Sequence, residues 1–168
     1  TKIISPGAYG YMALEGNKTI TLSGTGVYIF KTIKNSGGSL NFIFDFKNDL
    51  SGTFKIYVYG DVDLFKVTAV LLNGGSASRI YSETHGSGST CSKKTVAWNI
   101  SDCSSVKDAG WLGTVWAPYA SIDIGSGSGK STITGALWSG TYINIRDNVN
   151  LVYAPFGENA SIFPYYPP

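Results

Sequence analysis

Residues 111–153, WLGTVWAPYASIDIGSGSGKSTITGALWSGTYINIRDNVNLVY, contain one pattern twice. Gly113 and Trp116 of the first copy recur as Gly135 and Trp138, an offset of 22 residues each time (135 − 113 and 138 − 116). A short run of alternating apolar and polar residues follows each copy. Repeats of about 20 to 30 residues, rich in β-branched residues and punctuated by glycine, are typical of solenoids that place one coil in each repeat. The stretch therefore predicts an all-β protein, a β-solenoid with few coils.

The rest of the chain agrees with this prediction. Residues 40–46 alternate with period two, which indicates a strand with one apolar face. The continuous apolar run at residues 67–72 predicts a strand buried on both faces. No long segment has a helical period, so we expect at most one short helix. We expect residues 1–157 to form a single domain and the Pro- and aromatic-rich residues 158–168 to be a cap or a linker.

The composition is that of an extracellular all-β protein. Charged residues make up only 14% of the chain, the net charge is +2, and 21 of 168 residues are glycine. The scattered basic residues do not form the stripe that nucleic acid requires, and no apolar run is long enough to span a membrane. We expect a secreted or cell-surface protein. Three glycosylation sequons begin at Asn17, Asn99 and Asn159.

Two cysteines, Cys91 and Cys103, lie 12 residues apart (103 − 91) in a polar, Gly-containing stretch. A disulfide between them would contribute roughly 3 kcal/mol in the loop-entropy model, and two free thiols are the alternative. With one histidine, His85, and no further cysteine, the chain lacks the ligands of a zinc site. We expect a disulfide and no metal.

The sequence offers little catalytic chemistry. Residues 125–131, GSGSGKS, are similar to a phosphate-binding loop, but Ile124 stands where its first glycine should be and a strand follows instead of a helix. Glu83 and His85 are the closest acid–histidine pair, and a salt bridge at a strand end explains them better than catalysis, since no nucleophile elbow accompanies them. We expect no enzyme activity, no cofactor and no nucleotide.

The aromatic residues carry the functional prediction. Trp116 and Trp138 occupy equivalent places in adjacent coils, so their side chains should follow one another at about 4.8 Å. If they point outward, they form a flat strip suited to the apolar faces of sugar rings. Strict alternation places Val115 inside and Trp116 outside, but a turn after Ala117 can reverse this parity, so an inward orientation stays open.

Side chains next to these tryptophans are further candidates for the strip. Tyrosines of earlier strands are candidates to extend it: Tyr57, Tyr59 and Tyr81. Polar residues beside it could bond sugar hydroxyls. The candidate ligand-binding residues are Trp116, Tyr119, Trp138, Tyr142, Asp123 and Asn144.

The order of three motif regions, residues 56–63, 72–86 and 111–145, resembles the choice-of-anchor A domains of surface proteins. More distantly, the chain is similar to the ice-binding β-solenoid family, through GTVWA at 113–117 and TGALW at 134–138. The resemblance implies a right-handed parallel β-helix whose N-terminal strands pack beside the C-terminal coils. Two family features are missing, a long helix beside the solenoid and a regular recurrence of threonine.

These observations leave three functions open. The first is a non-enzymatic binding module that adheres to a glycan or an extracellular polymer through the aromatic strip. The second, implied by the resemblance, is ice binding by a flat Thr/Ser face. The third is a structural spacer or assembly unit of a surface layer.

Overall fold

The computed structural model describes residues 1–88, 95–100, 109–125 and 129–157. These residues form β-strands and one 3-10 turn at Ala77–Arg79, with no α-helix among them. The strands are β1 Lys2–Ile4, β2 Gly7–Ala8, β3 Tyr11–Glu15, β4 Lys18–Ser23, β5 Gly26–Phe30, β6 Thr32–Ser36, β7 Leu40–Asp45, β8 Phe54–Val58, β9 Val62–Leu64, β10 Val67–Leu72, β11 Ile80–Thr84, β12 Val96–Ile100, β13 Ala109–Ala117, β14 Ser121–Ile124, β15 Ser131–Ser139, β16 Ile143–Ile145 and β17 Val149–Tyr153.

Successive strands wind through three parallel sheets. Sheet 1 has the order β1-β4-β7-β10, sheet 2 the order β17-β15-β13-β11-β8-β5-β2, and sheet 3 the order β16-β14-β12-β9-β6-β3. Each early coil contributes one strand to each sheet, whereas the strands from β13 to β17 lie in sheets 2 and 3. The predicted β-solenoid is confirmed. The N-terminal strands occupy the first coils of the same stack, and β10 also contacts β13.

The register of the last coils is the one that the sequence repeat predicts. Strands β13 and β15 pair along their whole length, with Gly113 opposite Gly135 and Trp116 opposite Trp138. Gly113 has a φ of 102°, and a methyl group there would collide with Ile80 in the strand below. A methyl group on Gly135 would collide with the Gly113 backbone. The glycines therefore let neighbouring strands approach closely.

The interior of the solenoid is filled by aromatic and branched side chains. Phe42 and Phe44 of sheet 1 meet Trp111 of β13, and Trp111 meets Trp98 of sheet 3, with ring centroids 5.3, 6.0 and 5.4 Å apart. All four side chains are buried. The core thus ties the three sheets together through edge-to-face aromatic contacts.

One strand differs from its prediction. Strand β10 lies where the apolar run predicts it, but burial on both faces is wrong, because Val70 and Leu72 are exposed. A solenoid sheet covers the core with one face only, so its outward side chains meet solvent whatever their polarity.

Several predictions fall outside the described residues. They include the Cys91–Cys103 disulfide, the character of residues 158–168 and the Asn159 sequon. Assignment of residues 1–157 to a single domain stays a prediction. Among the residues described, no helix is long and apolar enough to cross a membrane.

Candidate binding face on sheet 2

The two tryptophans lie on the outer side of sheet 2. Val115 is fully buried in the core, so alternation along β13 directs Trp116 outward, where it is partly exposed. Trp138, its partner in β15, is 40% exposed. The turn after Ala117 leaves this parity unchanged because β13 extends through Ala117.

The tryptophans continue a column of outward side chains that crosses five coils. In ladder order the column contains Ile29, Tyr57, Glu83, Trp116 and Trp138, each paired with the next. We name this column the outer row. Neighbouring strands lie about 4.8 Å apart, so the row spans roughly 14 Å from Tyr57 to Trp138. Tyr57 thus extends the strip as the sequence suggests, with a carboxylate between it and the tryptophans.

A second set of side chains borders the outer row where the strands of sheet 2 end. Tyr59 and His85 follow β8 and β11, and their N–H groups still donate to the neighbouring coil. Tyr59 is 69% and Tyr119 66% exposed. The His85 and Tyr119 rings meet edge to face with centroids 5.4 Å apart. The outer row and these three residues together form what we name the binding face.

Glu83 is the charged centre of this face. Its carboxylate accepts a 2.7 Å hydrogen bond from the Tyr81 hydroxyl and contacts His85 Nε2, so the acid and the histidine meet at the strand end, as predicted. Burial and then the Glu83 charge raise the pKa of Tyr57 above its ordinary value. His85 Nδ1 has no hydrogen-bond partner among the described residues, and the imidazole is partly exposed.

The chain that follows β17 covers the side of the face nearer to sheet 1. The Phe156 N–H donates to Thr114 Oγ1 at 2.7 Å, and its ring meets that of Tyr81 at 5.4 Å. The Gly157 N–H then donates to the Ser78 carbonyl at 2.9 Å. Tyr81 is therefore flanked by Phe156 and bonded to Glu83. Phe156 was not among the candidates from the sequence. Its only sequence signal is that it is an aromatic residue shortly after the last strand.

Two of the predicted polar ligands lie on a different sheet. Asp123 and Asn144 pair with each other on the outer side of sheet 3, in a polar ladder that continues through Asn99 to Asp63. Asp123 is buried and Arg146 approaches it to 4.0 Å. The turn between β13 and β14 separates Trp116 from Asp123, so the structure does not bring the tryptophans and these polar residues together.

The two predicted tyrosines lie near the turns that lead from sheet 2 to sheet 3. Tyr119 reaches His85 and joins the binding face. Tyr142 precedes β16, is exposed, and its hydroxyl lies 3.1 Å from Thr95 Oγ1. Tyr142 therefore contacts the residue that precedes β12, on the sheet 3 side of the solenoid.

The Asn99 sequon is closed to glycosylation in the folded protein. The side chain is buried and its amide donates a 2.7 Å hydrogen bond to Asp63 Oδ1. Asn17, by contrast, is exposed, although its side-chain oxygen accepts the Ser39 N–H at 2.9 Å.

Two further features bear on the chemistry of the described chain. Strands β15, β16 and β17 line an open apolar pocket of about 330 Å³, and its lining includes Leu137, Trp138 and Tyr153. Within the described ranges, no group of three or more His, Cys, Asp or Glu side chains could hold a metal ion.

The three parallel sheets define a β-solenoid, and its sheet 2 exposes aromatic side chains on its outer side. The chain belongs to the family described as "Putative Ice-binding-like adhesive domain", whose model matches residues 9–145. No curated protein and no solved structure matches the chain. Membership in an adhesive family indicates a binding module rather than an enzyme and suggests the cell surface.

Proposed function

We propose that this adhesive domain binds a carbohydrate surface through the binding face on sheet 2. The observation that carries the proposal is the outward register of Trp116 and Trp138 with Tyr57 in one column. Indole and phenol rings present flat apolar surfaces that stack on the CH-rich faces of sugars. Exposed aromatic side chains grouped on one sheet also form the kind of surface patch that marks an interaction site.

Polar groups at the same face would orient the sugar. The Tyr59 and Tyr119 hydroxyls and His85 Nδ1 lie beside the rings and can bond hydroxyl groups. His85 takes this role in place of Asp123 and Asn144, because those two residues lie on sheet 3. A few polar groups beside a large apolar surface are typical of ligand sites.

The test is adsorption to insoluble polysaccharides, namely cellulose, chitin and xylan, by the wild-type protein and a Trp116→Ala/Trp138→Ala variant. Each lost aromatic pair costs about 0.5 to 1.5 kcal/mol beyond its buried area, so the double variant should bind at least about tenfold more weakly. Tyr11→Ala is the matched control, since Tyr11 is 72% exposed on sheet 3. Unchanged adsorption by a double variant with a native circular dichroism spectrum would refute the proposal.

Ice is the second candidate ligand, favoured by the family description. The outer side of sheet 1 offers threonine at Thr19 and Thr68, but Asn41 stands between them in the ladder. Threonine thus occurs on alternate coils instead of every coil. Thermal hysteresis and shaped ice crystals at micromolar protein would support ice binding, whereas round crystals would count against it.

A structural spacer in a surface layer is the third reading, and it predicts self-association without a small ligand. Strictly monomeric behaviour at high concentration argues against it. The narrower kinship with choice-of-anchor A domains and location at the cell surface or in the medium remain proposals alongside these functions.

A further inference from the structure

We infer that the ligand is a neutral, extended polysaccharide chain that lies parallel to the solenoid axis, with Glu83 and His85 as its central recognition point. This inference rests on the proposed function and deepens it by naming the ligand class, its direction and the residues that select it.

The direction follows from how the face is bounded. The outer row advances by one residue in each coil, so its rings succeed one another along the axis, across the strands. On the side nearer to sheet 1, Phe156 packs against Tyr81 and occupies the surface. On the opposite side Tyr59 and Tyr119 are exposed. Among the residues that the structure describes, an axial path is therefore open, while a path along the strands meets Phe156.

The part of the outer row from Tyr57 to Trp138 sets the length of ligand that its rings can contact. Three coil spacings separate Tyr57 from Trp138, which gives about 14 Å, a span comparable with about three extended sugar units. Tyr57 stands at one end, and Trp116 and Trp138 stand at the other. A disaccharide can reach one of these platforms but not both. A longer chain reaches both and binds more tightly through the combined contact.

The charge at the centre selects against acidic glycans. Glu83 lies between the two platforms, and its carboxylate is already satisfied by the Tyr81 hydroxyl and His85. A uronate or sulfate group placed there meets a like charge without a compensating partner, which is unfavourable in a partly dry site. A sugar hydroxyl meets His85 Nδ1, and as both donor and acceptor it suits either protonation state of the ring.

The experiment measures the affinity of the full chain for soluble oligosaccharides of two to six units by tryptophan fluorescence and calorimetry. The neutral probes are β-1,4-linked glucose and β-1,4-linked N-acetylglucosamine series, and the acidic probe is a galacturonate series. Affinity for a neutral series should rise by about tenfold from two to four units and then level off. Tyr57→Ala should remove this rise, because a longer chain then has no second platform to reach. Tyr57→Leu, which preserves packing without a ring, should do the same.

The charge is tested with Glu83→Gln, which retains an oxygen acceptor for the Tyr81 hydroxyl. Relative to its affinity for neutral oligosaccharides, the affinity of this variant for galacturonate should rise about fivefold or more. An affinity that does not depend on oligosaccharide length would overturn the inference, and so would a Glu83→Gln variant that discriminates against galacturonate as strongly as the wild type. In either case the proposed function survives if Trp116→Ala/Trp138→Ala still loses adsorption. Binding to none of the soluble or insoluble glycans would overturn both.

Discussion

Replacement of Gly135 by alanine tests whether close approach of strands β13 and β15 holds the binding face together. Gly135 lies directly opposite Gly113 in the ladder. A Cβ atom on Gly135 would lie well under 3.0 Å from the Gly113 carbonyl oxygen, a separation that real Cβ atoms essentially never show. The obstacle is backbone and not a flexible side chain. The two strands must therefore separate or tilt to accept the methyl group.

The cost can be worked from this geometry. Overpacking a well-packed interior costs about 1 to 3 kcal/mol, and a clash with backbone belongs at the upper end, because no rotamer change relieves it. In a chain of this size, each kcal/mol lowers Tm by about 2 to 4 °C. Gly135→Ala should therefore melt about 6 to 12 °C below the wild type, measured by thermal unfolding with circular dichroism or calorimetry.

Gly10→Ala is the matched control. No heavy atom lies within 4 Å of a Cβ built on Gly10, and its φ is outside the left-handed region. This variant should stay within about 0.5 kcal/mol of wild type, as exposed substitutions usually do. If Gly135→Ala and Gly10→Ala melt within 2 °C of each other, the close approach of the strands is not a constraint and the reasoning from the glycine pair is refuted.

Three other predictions concern named side chains. Trp116→Phe/Trp138→Phe should leave blue emission that acrylamide quenches poorly, because the other two tryptophans are buried; strong residual quenching would contradict this. Asn99→Ala should cost about 1 to 3 kcal/mol in urea unfolding, because its buried hydrogen bond is lost; an unchanged midpoint would exclude that role. Hydrogen bonds from the Thr25 hydroxyl and two backbone N–H groups hold the pKa of Asp49 far below its ordinary value, so its stabilising effect is complete above that ordinary value and lost as pH falls below about 4. Asp49→Asn should then flatten the acid side of the stability–pH curve, and an unaltered curve would show that the carboxylate contributes nothing.

The sequence predicts that Val115 and Trp116 lie on opposite faces, but it leaves open which of the two points outward, and the burial of Val115 decides this. Val115 and Trp116 are adjacent in one strand, and alternation places them on opposite faces once either is known to be buried. The match of Gly113 with Gly135 fixes the register, because no other residue fits their separation. Both signals lie within a few residues of the side chains that they position.

The composition of the face could not be predicted in the same way. Asp123 is near Trp116 in sequence, yet the turn between their strands moves it to another sheet. Phe156 is far from Tyr81 in sequence and reaches it because the chain turns back after β17. Tertiary packing sets the angles at the corners of the solenoid and the path of the chain after its last strand. No repeating pattern in the sequence indicates either of them.

The spacing of the outer row explains why the sequence shows a repeat only between its last two members, Trp116 and Trp138. Its members are separated by 28, 26, 33 and 22 residues (57 − 29, 83 − 57, 116 − 83 and 138 − 116), so no fixed period aligns Ile29, Tyr57, Glu83, Trp116 and Trp138. The ladder aligns them instead, since hydrogen bonds and buried inward residues set the register of each strand, and the connections absorb the difference in length. A solenoid of this kind can change loops at its corners without displacing the face. Conversely, an outward residue can change without displacing a loop. Glu83 follows this rule, since it lies between Tyr57 and Trp116 in the ladder while its carboxylate bonds the Tyr81 hydroxyl and contacts His85 on the outer side of the sheet.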